Sequence, residues 1–235
     1  MNDNQEIAEK RQKQRATLNK FIDTPVEYIM KHNVSPNMLS LLGLLCTIGA
    51  AIFLALRTIH LPVWFAWPAP VLMFWAGAFD IFDGEVARRS GREGASGAFL
   101  DSNVDRLSDA IIILGLTYGG YVNFFFGYVL LFSAVMVSYI RSRAETEGID
   151  MRGIGIMERA ERLIYLMIAI IIETWINFFS VLFTGSPWFV YLPIVTAIPV
   201  SWFFLFFIIV YIFLIIFTVG QRILFTFKKL NEVKK

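Results

Sequence analysis

Five aspartates, Asp80, Asp83, Asp101, Asp105 and Asp109, lie in two otherwise apolar stretches of the chain. A carboxylate inside a membrane helix costs roughly 2.5–3.5 kcal/mol at the helix centre and less near an end, so such residues mark function by default. At about 100° per residue, Asp80 and Asp83 stand about 60° apart on one helix, with Gly84 and Ala87 on the same stripe. Asp101 and Asp105 are four positions apart, one turn above the other on a second helix. Two adjacent antiparallel helices joined by the short polar loop 89–96 would gather four carboxylates just below one membrane surface. Like charges in a low dielectric must be protonated or met by cations. Oxygen ligands without a His or Cys partner suit Mg2+, Mn2+ or Ca2+ rather than zinc or copper. A structural reading of the same residues pairs the aspartates with Arg88, Arg106 and their neighbours to close the helix ends. Gly84, Ala87 and Gly97 leave room for a bulky ligand above the acidic group, and the same residue types also serve close helix packing.

Such a constellation needs membrane helices to hold it. The chain has 235 residues, 57 % hydrophobic and 16 % aromatic, and a mean hydropathy of +0.61, which excludes an ordinary soluble domain. The 23 Phe and 6 Trp exclude a disordered chain. Cys46 is the single cysteine, so neither an intrachain disulfide nor a thiolate metal site can form, and a net charge of +2 gives no case for nucleic acid as a partner. Windows of about 20 apolar residues bounded by charge, proline or glycine predict six spans, over 36–57, 62–89, 96–119, 121–146, 157–179 and 197–227. The first has Ser35 as N-cap and Pro36 at the first helical position. The apolar stretch 180–196, with Pro187 and Pro193, either lies along the interface or lengthens its neighbours.

Before the spans, Leu18, Phe21, Ile22, Val26 and Ile29 recur at helical spacing and predict an amphipathic helix on the membrane surface over 5–32. The polar N-terminus does not read as a cleaved signal. The expected fold is an all-α integral membrane protein: a juxtamembrane segment 1–34, a six-helix transmembrane domain 35–227 and a basic tail 228–235. With both termini on one side, 20 of the 21 Lys and Arg fall there and only Arg57 opposite, so that side and the acidic group are expected to be cytoplasmic. Trp64, Trp67, Trp175 and Trp188 supply an aromatic belt at the other face, and His32 and His60 read as interfacial polar residues.

Asp80-x-x-Asp83-Gly84-x-x-Ala87-Arg88, then eight residues to Gly97, three to Asp101 and three to Asp105, resembles at every fixed position the signature of the CDP-alcohol phosphotransferase family. A looser likeness runs from Ser35-Pro36-Asn37 to the end of the fifth span. That family is built on six transmembrane helices and transfers a substituted phosphate from a cytidine diphosphate-linked alcohol, usually a lipid, to a hydroxyl of a second alcohol, releasing CMP. The resemblance implies that Asp80, Asp83 and Asp101 hold two divalent cations, Mg2+ or Mn2+, on the pyrophosphate. Asp105 would complete the metal shell or act as catalytic base. It further implies that Gly84, Ala87, Arg88 and Gly97, with Asp80, surround the CDP-alcohol, that Asn37 and Ser40 approach the nucleotide, and that the chain forms a homodimer in the cell membrane. One departure is Gly94, where relatives in the inositol phosphate branch often carry a hydroxyl residue; Ser96 is the available substitute.

The acceptor must be read elsewhere. The fourth span ends Ser138-Tyr139-Ile140-Arg141-Ser142-Arg143-Ala144-Glu145 and the fifth begins Met157-Glu158-Arg159-Ala160-Glu161-Arg162. Ser138 with Arg141, and Arg159 with Arg162, are each three apart on one face near the acidic group, and forked guanidinium donors suit a phosphate monoester. The same arginines also suit membrane anchoring and pairing with Glu145, Glu158 and Glu161. These segments, with Asp101-Ser-x-x-Asp105-Arg106, resemble the phosphatidylinositol phosphate and archaetidylinositol phosphate synthase branch. The acceptor so implied is a small phosphorylated polyol, inositol 1-phosphate, ahead of glycerol 3-phosphate and then serine, while diacylglycerol and archaeol both stay open as the lipid. A divalent-cation transporter would also place aspartates in membrane helices, but nearer the bilayer midplane than this group.

Overall fold

The computed structural model describes residues 22–151 and 153–233, and among them the architecture is a bundle of long helices. Residues 22–31 are helical (α1). There follow α2 (Pro36–Ala55), a 3-10 turn (Thr58–His60), α3 (Val63–Ala66), α4 (Pro68–Arg89), α5 (Ala95–Tyr118), α6 (Phe124–Thr146), α7 (Arg159–Thr184) and α8 (Trp202–Val233). An antiparallel pair, β1 (Phe189–Val190) with β2 (Val200–Ser201), is the sheet among the described residues.

Helix boundaries follow local chemistry. Ser35 caps α2, its side chain accepting from Met38 N, with Pro36 in the first turn where no N–H is missed. Asn123 caps α6 by accepting from Phe126 N, so that helix starts three residues later than the sequence pattern predicts. The delay has a cause in Gly120, whose φ of +79° breaks any helix through 120–122. Gly185, at φ +74°, stops α7 at Thr184. The stretch 180–196 therefore lengthens α7 at its start, and the chain then turns into the β1–β2 pair. The portion of the expected surface helix before residue 22, and residues 234–235 of the tail, lie outside the described residues. Within α1, Val26 is buried beside Leu39 and Val86.

Five helical segments, Pro36–Ala55, Val63–Arg89, Phe124–Thr146, Arg159–Thr184 and Trp202–Glu232, are long and apolar enough to cross a bilayer. Although α5 has 24 residues, it carries Asp101, Asp105, Arg106 and Asp109, which take it below that apolarity. It is held between α2 and α6. Gly115 allows the approach to α2, since a Cβ there would lie 2.7 Å from Ala51 O. Leu54, Met73, Leu116, Ile170 and Phe204 then join α2, α4, α5, α7 and α8 in one core.

At the end remote from the α4–α5 turn, Glu173 is fully buried. It accepts from His60 Nε2 at 3.0 Å, from Ser201 N at 3.0 Å and from the Ser201 hydroxyl. His60 has a structural partner besides its polar character: a buried carboxylate requires donors, and His60 is one of them. Trp67 and Trp175 meet edge to face, 6.2 Å between ring centroids, while Trp64 and Trp188 are exposed.

Candidate active site

A tight turn at residues 90–94, in which Gly91 takes φ +64°, returns α5 alongside α4. The 3.6-residue repeat then points Asp80 of α4 and Asp101 and Asp105 of α5 at one spot. Each offers a carboxylate oxygen, and these atoms lie within 4.8 Å of one another. Asp83, one turn on from Asp80, is not in that group of three. It is 6 % exposed and its Oδ2 accepts from Ser40 Oγ at 2.5 Å, which ties α2 to α4.

Two hollows flank the carboxylates. A cleft of about 720 Å³ is walled by Asn37, Ser40, Asp83, Gly84, Ala87, Arg88 and Gly97, with Gly94 at its rim. A chamber of about 1230 Å³ is walled by Asp80, Asp105, Ser138, Arg141, Arg159 and Arg162. Asp101 and Ala98 line both. Every residue singled out for the donor except Asp80 therefore faces the first hollow, and every one singled out for the acceptor faces the second. Ser96 is exposed and outside the cleft lining, so it does not replace the hydroxyl missing at Gly94.

The small residues separate into two kinds. A Cβ on Gly84 would meet nothing within 4 Å, and one on Gly97 would meet only Asn37 Oδ1 at 3.9 Å. Neither glycine is needed for helix contact, unlike Gly115; both keep the cleft clear.

The arginines also depart from the pairing that the structural reading of the aspartates required. Arg88 bonds Glu85, and Arg106 donates to Ser102 O at 2.9 Å, Ser102 Oγ at 2.7 Å and Ser142 Oγ at 3.1 Å. The partners of the aspartates come instead from α7. Arg159 Nη1 lies 2.5 Å from Asp80 Oδ1 and 2.9 Å from Asp105 Oδ1, and Arg162 pairs with Asp109. Because 105 and 109 are a turn apart on α5 and 159 and 162 a turn apart on α7, the contacts form a two-rung ladder. Arg141 pairs with Glu145 at 2.9 Å, on the chamber wall.

Arg222, inside the sixth span predicted over 197–227, is not among the residues that the sequence singles out. It is 2 % exposed, donates to Ile154 O at 2.9 Å and Val137 O at 2.7 Å, and lines the chamber. Its signal was available: an arginine inside a mainly apolar helix long enough to span the bilayer.

Three converging carboxylates without a His or Cys neighbour fit a hard divalent cation. The fit is strengthened by Asp105 Oδ1, which is buried and receives no hydrogen bond of good geometry despite the nearby guanidinium. Residues 33–186 match the model of the family described as CDP-alcohol phosphatidyltransferase. The chain belongs to this family. An archaetidylinositol phosphate synthase of Methanothermobacter thermautotrophicus is 51 % identical over 96 residues, 41 % of this chain and 49 % of the relative, so the match spans about half of that relative's length. That of Pyrococcus horikoshii is 37 % identical over 152 residues, 63 % of this chain and 77 % of its own. Among solved structures, the phosphatidylinositol phosphate synthase of Mycobacterium tuberculosis with CDP-DAG bound superposes with a TM-score of 0.63 at 22 % identity, over 88 % of this chain and 94 % of that one. The two proteins therefore share a fold.

Proposed function

We propose that this CDP-alcohol phosphotransferase transfers the lipid-bearing phosphate of a CDP-linked lipid to a hydroxyl of inositol 1-phosphate, with release of CMP. The observation that carries the reading is the pair of hollows that meet at Asp101: one walled by the signature residues, the other ringed by arginines. The names of the two archaeal relatives, both archaetidylinositol phosphate synthases, support the acceptor.

In this reading Asn37, Ser40, Gly84, Ala87, Arg88 and Gly97 hold the cytidine diphosphate in the cleft, with Asp80 and Asp83 at its phosphate end. Asp80, Asp83, Asp101 and Asp105 hold two divalent cations, Mg2+ or Mn2+, which would polarise the phosphorus and neutralise charge on the departing CMP. Ser138, Arg141, Arg159 and Arg162 bind the acceptor's phosphate through charge-assisted hydrogen bonds, which fixes its hydroxyl toward Asp101. Asp105 takes the hydroxyl proton as the new phosphorus–oxygen bond forms and the bond to the CMP oxygen breaks. Direct attack needs no nucleophilic Ser or Cys. The M. tuberculosis enzyme has also been solved in complex with manganese and citrate, in keeping with a divalent cation here.

The membrane placement follows. We take α5 as a span that tolerates its charges because Asp101, Asp105 and Arg106 face the chamber and Asp109 is paired with Arg162, which makes six and leaves both termini and the site on the cytoplasmic side, where 20 of 21 basic residues lie. The bilayer domain then occupies 35–227, between a juxtamembrane segment 1–34 and the basic tail 228–235.

The test is CMP release by purified protein supplied with CDP-lipid, Mg2+ and one acceptor from inositol 1-phosphate, glycerol 3-phosphate, inositol and serine. Inositol 1-phosphate is expected to give the fastest release. No more CMP than with buffer would remove this acceptor, and a protein that admits Mn2+ to liposomes without making CMP would remove the enzyme.

A further inference from the structure

Arg159 belongs to two sites at once. Its Nη1 reaches Asp80 Oδ1 and Asp105 Oδ1, at 2.5 and 2.9 Å, and both carboxylates belong to the group of three that can hold a cation. The same side chain walls the chamber that faces the acceptor. One turn deeper, the pair between Asp109 and Arg162 pins this end of α7 to α5; Arg162 is 3 % exposed and also donates to Met157 O at 3.2 Å. Arg159 is thereby delivered to the carboxylates by a rigid anchor, while its own grip on Asp105 has the distance but not the angle of a hydrogen bond. Arg159 Nη1 is thus held by one directed hydrogen bond, to Asp80, and by charge alone at Asp105, and a single bond to a partly exposed carboxylate is exchangeable.

Three carboxylates and one guanidinium leave a net charge of −2. The first of the two divalent cations to bind would bring that sum to zero and cancel most of the attraction on Arg159. The Nη1 group that serves both Asp80 and Asp105 cannot serve those carboxylates and a phosphate together. We propose that Arg159 is a built-in counter-cation of the carboxylate group, displaced by the divalent cation toward the acceptor's phosphate, so that cation binding and acceptor binding strengthen each other. The inference rests on the function proposed above and adds an order of filling to it, cation before acceptor. Linkage makes the effect reciprocal: whatever factor the cation adds to acceptor affinity, the acceptor adds to cation affinity.

The test uses the full chain in lipid nanodiscs without CDP-lipid. Mn2+ binding is followed by electron paramagnetic resonance. Arg159→Gln is expected to bind Mn2+ about tenfold more tightly than wild type, the effect of removing one close positive charge; Arg159→Lys, which keeps the charge, stays near wild type. Unchanged or weaker Mn2+ binding in Arg159→Gln overturns the proposal, as does a lysine variant that behaves like the glutamine one. A second arm needs no variant. Inositol 1-phosphate, followed by isothermal titration, is expected to bind wild type several-fold more tightly with saturating Mn2+ than without, and equal binding overturns the proposal. A wild-type protein that binds no Mn2+ defeats the proposed function itself, whereas Mn2+ binding that ignores Arg159 defeats this inference alone.

Discussion

Ser40 of α2 donates its hydroxyl to Asp83 of α4 across 2.5 Å, although the two stand 43 positions apart in the chain. The bond fixes a buried carboxylate at the wall of the donor cleft and makes α2 a structural part of a signature otherwise confined to α4 and α5. Ser40→Ala strips that carboxylate of its donor. Hydrogen bonds to charged groups are worth about 1.5–3 kcal/mol, so CMP release is expected to fall roughly ten- to hundredfold, with Ser40→Thr restoring most of it. Initial rates at saturating Mg2+ measure this.

A side chain on Gly84 has space to occupy and nothing to collide with. Gly84→Val is therefore expected to fold, with an unchanged elution profile in detergent, and to lose binding of CDP-lipid because the cleft is filled. Gly115→Val gives the opposite result: its Cβ would meet Ala51 backbone, and the protein is expected to be unstable.

In the proposed function Asp105 is the carboxylate that takes the acceptor's proton. Asp105→Asn keeps the shape and removes the base, so CMP formation is expected to drop by about 10² to 10⁴ while thermal stability holds. An Asp109→Asn variant, which loosens Arg162 without touching the group of three, is expected to raise the KM for the acceptor more than it lowers kcat.

Arg141 faces the chamber and is half exposed, so its loss leaves no buried charge behind. Arg141→Gln is expected to raise the KM for inositol 1-phosphate about tenfold, equivalent to one charge-assisted hydrogen bond, and to leave the KM for CDP-lipid unchanged. Steady-state kinetics in both substrates separates the two effects.

Glu173 holds His60 and two groups of Ser201 at the end of the bundle away from the chemistry. Glu173→Ala orphans those buried donors. A cost of about 3 kcal/mol is expected to lower Tm by on the order of 10 °C, with CMP release per folded molecule unaffected.

The acidic signature was legible because helical spacing carries it: once 80–83 and 101–105 lie on antiparallel helices, their convergence needs only a short turn. The Ser35 cap with Pro36 was legible for the same local reason. The ladder between Asp105, Asp109, Arg159 and Arg162 was not, since its two sides are some fifty residues apart and nothing in a sequence chooses α7 over Arg88 or Arg106 as partner. The pairing of Glu173 with His60 escaped for the same reason, since the two stand 113 positions apart and neither residue alone names the other. The start of α6 read three residues too early because the break at Gly120 depends on a φ of +79° that composition does not reveal.

The two hollows draw on different parts of the chain. The donor cleft is made by α2, α4 and α5 and lies wholly within residues 33–186, whereas the acceptor chamber adds α6, α7 and Arg222 of α8, which lies beyond the family match. In the function proposed above, headgroup preference would therefore be written largely in the last three helices, apart from the residues that would activate the lipid donor.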